Sequence, residues 1–325
     1  AGTGCLGSTV NPFATGVALS ALPDGVAASQ GIVLLIAVVL WLTTYAISTL
    51  FVLAYAKKVK KDKGSTILSL REQQQAEKRF GKFVEASSEK AVLSTKQKVT
   101  LWLFALTFLV MVIGFVPWNE FGIKFFDGFT GWLTGSSLGN WWFYEAALWF
   151  LLMSIVITIV NGYSEKEFVD TYVDGADDMI GVILVIAVAR GASVLMAQTH
   201  LDNYIIYNAT DMLAKLPEIA FVPLNYLLHI VLSILVPSSS GIATLSTPII
   251  TPLAANLGYS TEVAVMTIVS ANGLVNLISP TCGAIMGGLA LAKVDYSTWF
   301  KWAFKVVAVI ALANIVILTV ASLIM

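Results

Sequence analysis

Residues 225–258 read NYLLHIVLSILVPSSSGIATLSTPIITPLAANLG, and the fold turns on how this stretch is interpreted. Two apolar arms flank a Pro-Ser-Ser-Ser-Gly tip at 237–241. Neither arm, taken from this stretch alone, has the roughly 20 residues that a membrane-crossing helix needs. Unwound backbone at the tip cannot be left against lipid. The segment therefore reads as a re-entrant hairpin that enters from outside and stops near the midplane, its tip facing protein or a wet cavity.

The rest of the chain makes lipid the solvent. Of its 325 residues 57% are hydrophobic and 12% charged, with a mean hydropathy of +0.82, and so few charges cannot clothe a water-soluble surface of this size. Apolar runs of spanning length, about 20 residues, occupy 31–56, 100–117, 141–160, 179–198 and 299–325. The net charge is −1, and no basic face exists outside one loop, which excludes nucleic acid as a partner. A phosphate-binding Gly-Lys-Ser/Thr loop and a nucleophile-base-acid set are both missing from the sequence, so neither an ATP-driven pump nor an enzyme is expected. Cys5 and Cys282 sit in separate Gly-rich apolar stretches and read as small buried hydrophobes rather than a disulfide.

Charge is informative by position. The segment 57–98 holds 12 of the 19 Lys and Arg residues, so the positive-inside rule makes it cytoplasmic. Threading from that anchor puts 118–140 outside and returns the chain to a cytoplasmic amphipathic segment carrying Glu165, Lys166, Glu167 and Asp170. The run 179–198 then crosses outward, and Met325 ends outside. Trp102, Trp118, Trp132, Trp141, Trp142, Trp299 and Trp302 fall near expected interfaces and read as an aromatic belt.

A second break supports an internal repeat. An offset of 268 residues places Asn11-Pro12 on Ser279-Pro280, Gly-rich half-helix on Gly-rich half-helix, and the long apolar run from Ser29 on the run from Ser297. The two copies end on opposite sides of the membrane, the pattern of an inverted-repeat secondary transporter with broken helices. The expected fold is an all-α membrane protein whose first repeat is incomplete here. Residues 1–56 form the end of repeat one and 57–98 the cytoplasmic basic loop. Residues 99–325 form repeat two, with three transmembrane helices, a re-entrant hairpin at 219–257, a broken helix at 260–293 and a final span at 297–325. By the same offset, roughly 170 residues with the first hairpin are expected ahead of residue 1 in the full-length protein.

Those breaks should line a site. Ser8, Thr9 and Asn11 supply hydroxyl and amide oxygens beside the first, and Asn276, Ser279 and Thr281 do so beside the second, with freed carbonyls suited to a hard cation. The tip Ser238, Ser239, Ser240 and Gly241 starts a half-helix, whose N-terminus favours an anionic group such as a carboxylate. Small residues also let helices pack closely, which is the competing explanation. Arg190 lies well inside a span, where it either meets a substrate carboxylate or pairs with Asp177, Asp178 or hairpin carbonyls. His200 and His229 are lone histidines of the kind usually held by structural hydrogen bonds.

The motifs GSTVNPFATG (7–16), YAKKVKK (55–61), PSSSGIATLSTPIITPLA (237–254), ISPTCG (278–283) and KVDYSTWFKW (293–302) resemble the YfcC-type branch of the C4-dicarboxylate anaerobic carrier (DcuC-like) family, within the ion-transporter superfamily. That resemblance covers essentially the whole chain. It implies two inverted repeats, two hairpins, a homodimer, and dicarboxylates or basic amino acids such as arginine and ornithine as exchanged substrates. Ser239 stands where related sodium-coupled carriers have the Asn of a Ser-Asn-Thr motif. The expectation is therefore a multi-pass protein of the bacterial inner membrane, a secondary transporter or exchanger of a small carboxylate-bearing metabolite. No cofactor is expected beyond a coupling Na+ or H+, and the lipid bilayer is the surrounding partner. The alternative is a cation/proton antiporter without an organic substrate.

Overall fold

The computed structural model describes residues 12–78, 93–115, 118, 122–126, 131–141, 143–236 and 238–325. Every regular element among them is helical. In chain order the main helices are α1 (Pro12–Ser20), α2 (Gln30–Lys61), α3 (Thr95–Phe115), α4 (Phe143–Asn161), α5 (Glu165–Gln198), α6 (Leu201–Leu213), α7 (Glu218–Leu235), α8 (Ser239–Asn256), α9 (Thr261–Val275), α10 (Gly283–Ala292) and α11 (Tyr296–Ile324). Five of the described helices are long and apolar enough to cross a membrane: α2, α3, α4, α7 and α11. The chain is accordingly a multi-pass membrane protein.

Helix starts follow local chemistry. Three capping boxes, in which a Ser hydroxyl and a Glu or Gln side chain satisfy each other's free backbone N–H groups, open helices at Ser69/Glu72, Ser94/Gln97 and Ser164/Glu167. Ser29, Ser238 and Ser260 cap α2, α8 and α9 with their hydroxyls. Lys58, Lys60 and Lys61 close α2, where cations complement the carbonyl end of the helix dipole.

Two compact units divide the chain: residues 1–79 with 178–325, and residues 80–177. The first is organised around α9, which packs against α7, α8, α2, α11 and α1. All of α9 from Val263 to Val275 is buried, whereas α2 and α11 turn rows such as Leu34, Leu42, Leu50 and Leu312, Val316, Val320 outward. Outward apolar rows on long helices are what a lipid solvent selects. In the second unit α3 packs on α4. Trp149 donates its indole N–H to the Thr107 carbonyl at 3.0 Å, Asn161 donates to Thr100 at 2.8 Å, and Phe108 meets Phe150 edge-on at 5.2 Å.

Several sequence expectations shift. Both hairpin arms are 18 residues long, about 27 Å at 1.5 Å per residue. The first starts at Glu218 and is long and apolar enough to cross, so the expectation that each arm is too short is corrected for α7. Its helix continues upstream through Pro223, a residue that reads as a helix breaker in isolation. The amphipathic segment at 165–170 and the run at 179–198 form one 34-residue helix, α5. The tryptophans do not form a uniform belt. Trp102 and Trp132 are 77% and 86% exposed, but Trp141 is 2% exposed and lies over Gly114, where any Cβ would come within 2.4 Å of the indole ring.

Candidate functional site

α7 ends at Leu235 and α8 starts at Ser239, with Val236 and Ser238 flanking Pro237, which lies outside the described residues. α7 ends as the Val236 N–H bonds the Leu232 carbonyl at 2.7 Å, and α8 starts as the Ser238 hydroxyl accepts the Gly241 N–H at 3.1 Å. Helical geometry then sends the three tip serines different ways. Ser238 and Ser240 border an open cleft of about 710 Å3 with Gly241, Thr244 and, from α6, Asn203. Ser239 turns inward and donates its hydroxyl to the Asn272 side-chain carbonyl at 2.6 Å.

Asn272 is the junction. It is 1% exposed, near the end of α9, and its Oδ1 also accepts from the Asn276 amide at 3.1 Å. The hairpin tip and the start of the second break are thus joined through one carboxamide. Its Nδ2 has no hydrogen-bond partner. A buried N–H left unmet costs about 1–3 kcal/mol, and this one lies within a turn of the end of α9. Sequence reading missed Asn272 because it sits inside the helical run rather than at a Pro or Gly break. Its spacing of four from Asn276, one turn on the same helix face, was the available signal.

The second break runs from Asn276 to Cys282. Ser279 and Thr281 meet each other, hydroxyl to hydroxyl at 2.6 Å, and the Thr281 N–H donates to Ser279 at 3.2 Å. The freed carbonyls that suggested a cation are partly engaged: Trp299 donates to Leu277 at 3.2 Å and the Tyr296 hydroxyl donates to Ile278. Trp299 therefore braces the break from α11. Cys282 occupies the N-cap position of α10.

Ser8, Thr9 and Asn11 lie outside the described residues, as does the side chain of Arg190. The half-helix that follows Asn11, α1, packs against α8 and α9, the two helices that carry Ser239 and Asn272. His229 is fully buried on α7, its Nδ1 2.8 Å from the Asn225 carbonyl. With Asn225 and Ser233 it forms a buried row at four-residue spacing. The Asn225 carboxamide, His229 Nε2 and the Ser233 hydroxyl have no partner there. This row climbs the first arm to within one turn of the tip.

These are polar groups gathered on interrupted helices inside a membrane protein. The profile of the C4-dicarboxylate anaerobic carrier (DcuC) family matches residues 1–323. The chain belongs to that family. It is 26% identical over 313 residues to an uncharacterised protein of Haemophilus influenzae strain Rd, covering 96% of this chain and 56% of that protein. It is 25% identical over 309 residues to an Escherichia coli K12 protein provisionally named basic amino acid antiporter YfcC, covering 92% of this chain and 55% of that protein. The chain thus spans a little over half the length of these relatives. No solved structure matches it.

Proposed function

We propose that the full-length protein is a secondary active transporter that exchanges a small carboxylate-bearing metabolite across the bacterial inner membrane by alternating access. The substrate class is a C4-dicarboxylate or a basic amino acid such as arginine or ornithine. The carrying observation is the Ser239–Asn272–Asn276 chain, which ties a hairpin tip to a helix break through a buried amide with one donor unspent. Half-helix α8 aims its N-terminal dipole at the same place, and a carboxylate there would meet both. Ser238, Ser240 and Gly241 line the cleft by which it would arrive, and Ser279, Thr281, Arg190 and, from the preceding repeat, Ser8, Thr9 and Asn11 complete the proposed lining. Inverted repeats, a re-entrant hairpin, a homodimer and coupling to Na+ or H+ belong to this reading. The family and the name of the Escherichia coli relative support it.

Counterflow in proteoliposomes tests it. Full-length protein should take up labelled dicarboxylate or arginine only against a preloaded partner, and saturably. Flux that ignores every organic substrate yet follows an imposed pH or sodium gradient would decide for the cation/proton antiporter instead.

A further inference from the structure

A second cavity, of about 440 Å3, lies where the inner end of α2 meets α10 and α11, a size typical of small-molecule sites. It shares no lining residue with the tip cleft. Val52, Ile285, Leu289, Trp299 and Trp302 form much of its wall. Two of its polar side-chain atoms are already engaged. The Tyr55 hydroxyl accepts the Ile67 N–H at 3.1 Å, and the Trp299 N–H is given to Leu277. Such a wall offers a polar solute nothing and an alkyl chain a great deal. Gly288 also lines the cavity, and a Cβ added there would meet no atom within 4 Å. The space is kept open by the absence of a side chain, while aromatics in tilted and edge-on contact hold the opposite wall: Trp302 lies 4.8 Å from Phe51, 5.3 Å from Tyr55 and 5.5 Å from Trp299.

The rim is basic. One turn past Tyr55 on the same helix face comes Lys58, within a cluster of exposed lysines at 57, 58, 60 and 61, and Lys301 is exposed beside Trp302. Two of the nearby acids accept backbone hydrogen bonds. Asp62 accepts the Gly64 N–H at 2.9 Å, and Glu72 accepts the N–H groups of Ser69 and Asp295. An apolar hollow close to a lysine cluster, at the end of α2 where basic residues concentrate, matches an amphiphile with an anionic head.

We propose that this cavity takes one acyl chain of an anionic phospholipid from the cytoplasmic leaflet, with the lysine cluster neutralising its phosphate. Because α10 follows directly on the break at 276–282, the bound chain props the half-helix that the break leaves without a continuous backbone ladder. This site stands apart from the transport reading and does not depend on it.

Native mass spectrometry of the full-length protein in detergent tests the proposal, with phosphatidylglycerol and phosphatidylethanolamine as the probes. Wild type should retain one phosphatidylglycerol per protomer about tenfold more tightly than phosphatidylethanolamine. Gly288→Leu, whose Cβ meets no atom within 4 Å, should lower that retention by about tenfold or more, with its melting temperature in detergent kept. Replacing Lys58, Lys60 and Lys61 together by Gln should bring the two lipids near parity. Phosphatidylglycerol brominated on its acyl chain should quench tryptophan fluorescence less in Gly288→Leu than in wild type, since Trp299 and Trp302 face the cavity; if the leucine variant fails to fold, Gly288→Val carries the same comparison. Equal retention of both lipids by wild type would overturn the anionic head. Wild-type retention and quenching in a folded Gly288 variant would overturn the cavity.

Discussion

Helices α9 and α3 have similarly apolar sequences and opposite surroundings. In α9 all thirteen residues from Val263 to Val275 are buried in protein, and Thr267, Ser270 and Asn272 are buried with them. In α3 only Thr107 and Gly114 are buried, and Leu101, Trp102, Phe104 and Leu109 face outward. Lipid dissolves an apolar side chain about as well as a protein core does, so hydrophobicity alone cannot separate the two environments. Polar residues can. Where α3 carries Thr107, its hydroxyl folds back to the Leu103 carbonyl at 2.7 Å and leaves nothing to satisfy. Where α9 carries Asn272, half of the carboxamide is used and half is not. A hydroxyl closes on its own backbone in either setting, as Thr267 and Ser270 of α9 do at 2.8 and 2.6 Å, so the distinction rests on the Asn272 carboxamide, which reaches across to Ser239.

The largest effect expected from that contrast is at Asn272. Asn272→Leu keeps the volume and removes both the bridge and the unmet donor. In full-length protein it should raise the half-saturation concentration for substrate roughly ten- to a hundredfold, the equivalent of about 1.5–3 kcal/mol for a hydrogen bond to a charged ligand. Its melting temperature should hold or rise, since an unpaired buried amide has been removed. Unchanged uptake in both Asn272→Leu and Ser239→Ala would reduce the junction to a packing device and break the comparison.

Next comes Gly114 in the lipid-facing pair. Gly114→Leu must displace the Trp141 ring, and overpacking of this kind costs about 1–3 kcal/mol. Thermal unfolding should show the loss, and Trp141→Ala in the same protein should restore part of it. Lack of any change in melting temperature would mean that the ring does not seat on α3.

A smaller, pH-dependent effect belongs to Glu72. It is 1% exposed, and burial by itself would raise its pKa. The Ser69 hydroxyl and the N–H groups of Asp295 and Ser69 outweigh that and hold it down at about 2. A depressed carboxylate contributes stability above its unfolded value, near 4.5, and loses it as pH falls toward the folded value. Hydrogen exchange at Asp295 and over 63–78 should quicken between about pH 4 and pH 2 in wild type. Glu72→Gln should show faster exchange already at neutral pH and a flatter profile. A pH response identical in the two proteins would remove the clamp.

Smallest is Ser233→Ala on the buried row of α7. The hydroxyl has no partner, so its loss should be neutral or stabilising by up to about 1 kcal/mol in thermal unfolding. A loss of transport at unchanged stability would instead extend the site down the first arm.

Much of the candidate site was legible because breaks announce themselves. Pro237 with three serines, and Ser279-Pro280 with Thr281, interrupt apolar runs with residues that cannot be there for lipid. The capping boxes were equally open to reading at Ser69/Glu72, Ser94/Gln97 and Ser164/Glu167, since each needs only a spacing of three. What the breaks could not disclose was direction. Ser238, Ser239 and Ser240 are equivalent as letters, yet successive residues at a helix start point about 100° apart, and one faces the interior while two border a cleft. Trp299 looked like an interfacial anchor because its neighbours are aromatic and basic. Its indole N–H in fact supports the break at Leu277.

The sequence by itself determined the lipid solvent, the helix interruptions between α7 and α8 and between α9 and α10, and the family. Each of these depends on composition or on residues within a few positions of one another. Only the tertiary structure decided which polar atoms meet: Ser239 with Asn272 across 33 positions, Tyr226 with Asn314 across 88, Ser29 with Glu262 across 233. Hydrogen bonds act over about 3 Å, and only packing around α9 brings residues so distant along the chain within that reach.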